Sequence, residues 1–200
     1  IEDISGRPFS SKGLEDIEGT PYLLPDWAWG AVKFKNGKFA KDISLQFSPY
    51  NNILYFKKGN EQQEFLQPIT EFMLGYTEGA DSVARVFRNG YPSTANTKGE
   101  TFFELLADGK FQLLKLHSKT ISSFKPYNQP ERKKFAELQD LYVLAPGNKM
   151  LKIKKDKNFL MNELPEYANK IESLVASNKL KLKSEEGIQQ LFSLLNKQTN

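Results

Sequence analysis

Catalysis needs acids, bases, nucleophiles or metal ligands at workable spacing, and this chain of 200 residues offers few. It has one histidine, His117, and no cysteine. The lack of cysteine excludes disulfides, thiolate metal sites and a cysteine nucleophile. One imidazole cannot hold a metal alone, and no pair of carboxylates near His117 has ligand spacing. His117 is therefore expected to be a surface or structural side chain. The competing reading is a catalytic group whose partners converge only in space. Glu15, Asp16 and Glu18 form the densest acidic cluster. No Asp-x-Asp-x-Asp-Gly loop accompanies them, so a solvated arm is expected rather than a Ca²⁺ site. The Gly-x-Ser-x-Gly elbow, the P-loop and the Gly-x-Gly-x-x-Gly turn are all missing. No catalytic residue, metal or cofactor is expected on these grounds.

Two other groups of side chains could contact a ligand. Trp27 and Trp29 are two residues apart, so an extended chain places them on one face. Such a pair can stack on a sugar or clamp another ligand, or it can line the core at the mouth of a sheet. They are the candidate ligand-binding residues. The second group is basic. The net charge is +4, and between Lys149 and Lys183 nine lysines meet four acidic residues. Residues 1–148 sum to zero, so the body carries no nucleic-acid-binding charge. Lys152, Lys154, Lys155 and Lys157 could touch an anionic surface weakly. The bland reading is lysines on exposed faces, and no aromatic residues interleave there as in RNA-binding proteins.

The elements that must position these residues read as strands first and helices last. The organising stretch is Trp27 to Phe56. Phe39, Ile43, Leu45 and Phe47 alternate with Ala40, Asp42, Ser44, Gln46 and Ser48, which is the period of a half-buried strand. With Leu54 and Phe56 they form the expected core. Asn36-Gly37 predicts a hairpin with a type I′ turn, both central residues at positive φ. Asp108-Gly109 and Pro146-Gly147-Asn148 predict two further hairpins. Residues 75–81 read as a turn, and residues 118–137 as polar and irregular with one helical turn after Pro130. After residue 155 the period changes to 3.6. Asp156 is placed to cap a helix holding Phe159 and Leu160, and Pro165 suits the first turn of the next. That helix carries Tyr167, Ile171, Leu174 and Val175 on one face. Ser184 should cap a last helix bearing Ile188, Leu191, Phe192 and Leu195. The expected fold is α+β and mainly β. An antiparallel meander of eight to ten strands (curved sheet, open barrel or clam) spans 1–155, and two or three short helices in 156–200 pack on it as one structural unit.

Two stretches carry a resemblance. PYLLPDWAWGAVKFKNGKFAKDISLQF with YNNILYF, and DLYVLAPGNKMLKIKKDKNFLMNELPEY with NKLKLKSEEGIQQLFSLLN, are similar to a group of exported proteins of unknown function common in Bacteroidetes-type bacteria. The likeness covers about 27–75 and 139–196 and lies in strand lengths, turns and a helical tail. It implies an export signal removed before Ile1 and a periplasmic or cell-surface location. It implies no activity.

Three functional classes follow. The first is a non-enzymatic exported binding or interaction protein, its partner a protein or a small apolar ligand; 23 of the 25 aromatic residues are Phe or Tyr, which suits a β core. The second is a carrier holding an apolar molecule or lipid in a β-sheet cavity. The third is an enzyme built around His117.

Overall fold

The computed structural model describes residues 6–8 and 13–198. They are mainly β: twelve strands make a mostly antiparallel sheet that does not close, and three short helices follow. Two compact units interleave along the chain. One takes residues up to 89 together with 117–139; the other takes 90–116 and everything from 140 onward.

The first unit contains β1 (Gly6–Pro8), β2 (Ile17–Glu18), β3 (Ala28–Phe34), β4 (Phe39–Ser48), β5 (Ile53–Lys58), β6 (Glu61–Phe65), β7 (Ile69–Glu78) and β8 (Asp81–Arg88). Their order is β1-β6-β5-β4-β3-β7-β8, and β2 lies off this path. The order leaves chain order where β7 returns past β4–β6 to pair with β3. Curvature makes this possible. Phe65 on β6 packs 5.9 Å from Phe34 on β3, three strands away, where a flat sheet would separate them by about 14 Å. The three-residue link from β6 to β7 then suffices. At the centre Phe72 and Phe87 stack with centroids 4.8 Å apart, and Phe47 lies 5.2 Å and 5.4 Å from them.

Ile43, Leu45, Phe47, Leu54 and Phe56 are buried as expected, but Phe39 is 62% exposed. The cause is a bulge. The β3–β4 register shifts by one residue between Gly30 and Val32, and Asp42 opposite the shift has φ +56°. An extra residue reverses the side-chain parity beyond it. Phe39 therefore faces solvent, with Lys33 Nζ 5.5 Å from its ring centroid. The hairpin at Asn36-Gly37 is present, yet only Gly37 has positive φ. Gly37 N–H donates to Phe34 O, and Phe34 N–H to Lys38 O, which is a three-residue loop with a bulge rather than a type I′ turn.

Residues 75–81 are not a turn. β7 runs through Gly75 to Glu78, and the reversal is confined to Gly79-Ala80, between the paired Glu78 and Asp81. Residues 118–137 likewise belong largely to two long strands, β10 (Gln112–Phe124) and β11 (Arg132–Ala145). Much of that stretch is exposed, so its side chains carry little hydrophobic period. In the first unit β2 pairs with β11 in parallel, Ile17 opposite Lys133.

The second unit joins β9 (Phe103–Ala107), residues 112–116 of β10, residues 140–145 of β11 and β12 (Lys149–Ile153) to α1 (Lys157–Glu163), α2 (Ala168–Asn178) and α3 (Glu185–Lys197). The caps fall where their side chains direct. Asp156 accepts from Phe159 N–H at 2.9 Å, Ser184 Oγ from Gly187 N–H at 3.1 Å, and Pro165 opens a 3₁₀ turn before α2. Phe111, Leu113, Leu141, Val143 and Ile153 share one core with the apolar stripes of the helices.

Asn196 ties α3 to the β9–β10 hairpin. Its Nδ2 donates to the carbonyls of Asp108 (3.1 Å) and Phe111 (2.8 Å), and its Oδ1 accepts from Phe111 N–H at 2.8 Å. Asn196→Ala would strand the buried N–H and carbonyl of Phe111, at ~1–3 kcal/mol for each one left unsatisfied, while the Asp108 carbonyl can turn to water. Chemical denaturation of Asn196→Ala is expected to show a loss of about 2–3 kcal/mol. A loss under ~0.5 kcal/mol would mean that water replaces the amide.

Candidate functional site

The segment before β3 is pinned first. Ser48 Oγ donates to Pro21 O at 3.1 Å, and Leu23 N–H to Phe47 O at 2.8 Å. Gln62 Nε2 donates to the Tyr22 hydroxyl at 2.9 Å. Lys119 Nζ donates to Thr20 O (3.0 Å) and Tyr22 O (2.6 Å). Burial holds the Lys119 ammonium below its ordinary range, and Glu137 pulls it partly back. These bonds fix the chain that leads to Leu24, Pro25 and Asp26.

β3 then turns Trp29 to the outer face of the sheet, where its register neighbours are Ser44 on β4 and Gly75 on β7; Gly75 in turn faces Ala84 on β8. All three flanking positions are small. The six-membered ring of the indole lies on Gly75, and a Cβ there would collide with Trp29 Cε2 and Cζ2. Trp29 is nevertheless 56% exposed. One ring face rests on backbone and the rest of the indole meets solvent.

Asp26, Trp27, Trp29, Gly75, Tyr76 and Thr77 line an open cleft of about 300 Å³. Trp27 is half-buried, and Asp26 and Thr77 are exposed at the rim. The Arg85 guanidinium lies 5.5 Å from the Tyr76 ring centroid. The two tryptophans named from their spacing are thus brought into one cleft. Asp26, Gly75, Tyr76 and Thr77 were not. The signal for the three on β7 was the alternation of Phe72, Leu74 and Tyr76, which continues through Gly75 and marks it as strand; Asp26 carried none.

The other candidates are placed elsewhere. His117 is buried, 6.0 Å from the Phe87 ring, and its Nδ1 lies 3.9 Å from Glu137 Oε1, beyond hydrogen-bond reach. Glu18 pairs with Arg132 at 3.1 Å, and Glu15 accepts from Gly13 N–H. Among the described residues no three His, Cys, Asp or Glu gather as a metal site requires. Lys152 pairs with Asp140 at 2.8 Å, Lys157 with Glu172 at 3.3 Å, and Lys154 sits over the Phe159 ring. Lys155 is exposed. Acidic partners therefore interrupt the basic run. A larger open groove of about 610 Å³ runs along α3 from Glu186 to Lys197, walled by Asn178 and Leu180 and lined by the side chains of Gln189, Gln190 and Ser193. The Glu186 carboxyl at its end is held low by the backbone N–H and Ser184 at the helix start.

No family model, curated protein or solved structure matches this chain.

Proposed function

We propose that this chain is a non-enzymatic binding module that works in the periplasm or at the cell surface, with the cleft at Trp27 and Trp29 as its contact point. Trp29 carries the reading. Burying an indole is strongly favourable, yet this one is held open on the sheet by a glycine that gives it a flat bed. A side chain of that size left in water on a rigid strand suits a ligand that covers it. The location rests on the likeness to exported proteins and is tested by cell fractionation of the native host.

Both tryptophans of the chain line this cleft, so tryptophan fluorescence, excited beyond the tyrosine absorption band, reports on it alone. Trp29→Ala is expected to leave stability within ~0.5 kcal/mol, as for an exposed position, while removing the emission change on binding. Gly75→Ala should tilt the indole off the strand and weaken binding with Trp29 still present. The measurement is titration with panels of oligosaccharides, lipids and peptides, alongside native mass spectrometry of freshly purified protein. Co-purified ligand retained equally by wild type and Trp29→Ala would place the contact point elsewhere.

A further inference from the structure

We propose that the cleft takes a neutral saccharide, one pyranose ring stacking its C–H face on Trp29 while a ring hydroxyl donates to the Asp26 carboxylate; this rests on reading the cleft as a binding site. The shape argues first. Trp29 presents a single open face, since Gly75 occupies the other. A partner must therefore be flat on one side. The ring face is electron-rich and attracts weakly positive C–H groups, which a pyranose presents together on one side. The cleft volume of about 300 Å³ lies at the small end of the ~300–1,000 Å³ range of small-molecule sites.

The charges exclude the alternatives. Neither Lys nor Arg lines the cleft, the Arg85 guanidinium lies over the Tyr76 ring, and the charged group at the rim is the Asp26 carboxylate, which disfavours an anion. A quaternary ammonium needs several free ring faces, but a guanidinium already lies over Tyr76. An acyl chain needs an enclosed apolar pocket, whereas this cleft, though Leu24 and Pro25 also line it, is open with Asp26 and Thr77 exposed along it. A carboxylate accepts only, and a hydroxyl both donates and accepts. Asp26 and Thr77 are thus matched to the hydroxyl rim of a sugar, with the indole matched to its face.

The test is tryptophan fluorescence and calorimetry with cellohexaose, maltohexaose and xylohexaose. Phosphocholine, a sulfated oligosaccharide and laurate run as parallel arms. At least one neutral hexasaccharide is expected to bind and shift the emission. Trp29→Ala should weaken it about tenfold or more, Trp29→Phe should retain part of the affinity, and Asp26→Asn should weaken it ~3–10-fold by removing a charged acceptor. Unchanged melting temperatures separate these losses from misfolding. Binding of phosphocholine, the sulfated sugar or laurate with no neutral saccharide would overturn the saccharide assignment and leave the binding module standing. Silence in every arm, with no co-purified ligand, would overturn both. Saccharide binding that survives Trp29→Ala unchanged would overturn the stacking geometry.

Discussion

A chain ending at residue 155 will not keep its second unit folded. The helical tail supplies nine buried apolar side chains to that unit's core, from Leu160 and Leu164 through Ile171 and Leu174 to Leu191, Phe192 and Leu195. Full burial of each contributes roughly 1.5–3 kcal/mol, which together matches or exceeds the ~5–15 kcal/mol net stability of an ordinary domain. Their removal also uncovers Leu113, Leu141, Val143 and Ile153, which are buried against the same cluster. The helices cannot be independent either. They have 7, 11 and 13 residues, and isolated helices below about 12–15 residues are marginal in water. The 1–155 fragment is expected to aggregate or to lose its cooperative melting transition. A monomeric fragment melting at the temperature of the full chain would show that the tail is a separate module.

Phe47→Ala is expected to cost about 3–5 kcal/mol, the range for removing a buried phenylalanine. Phe47 is 2% exposed and packs against both Phe72 and Phe87. These three rings come from β4, β7 and β8, so the cavity would open at the centre of the first unit, where the surrounding sheet can collapse little. Urea unfolding measures the loss. A change under ~1 kcal/mol would contradict the register in which Phe47 opposes Leu54. Phe39→Ala, four turns of alternation away on the same strand but outside the bulge, should stay within ~0.5 kcal/mol.

Much of this fold was legible because its signals are local. Asp156 and Ser184 cap helices since their side chains reach N–H groups only three residues on. Ile43, Leu45 and Phe47 turn to one face because successive side chains in a strand must point to opposite faces, although Gln46 and Ser48, expected outside, are buried as well. The stripes of α2 and α3 follow from 3.6 residues per turn in the same way. The spacing of Trp27 and Trp29 belongs to this class: two residues apart in an extended chain puts them on one side, and both line one cleft.

What local pattern could not show depended on partners distant in the chain. Phe39 reads as core until the Asp42 bulge, set by pairing with β3, reverses its face. Gly75 reads as a turn until β3 lies beside it and Trp29 needs a bed. Glu61-Gln62-Gln63-Glu64 has no apolar residue to mark a strand and becomes one because β1 and β5 hydrogen-bond to it. Sequence alone determined that the chain is mainly β with a capped helical tail and lacks cysteine chemistry, since these depend on composition and on contacts a few residues apart. Only the tertiary structure decided where the alternation reverses, as at Phe39, and which residues meet around Trp29. Those depend on strand register, and register is a property of pairs of segments rather than of either segment by itself.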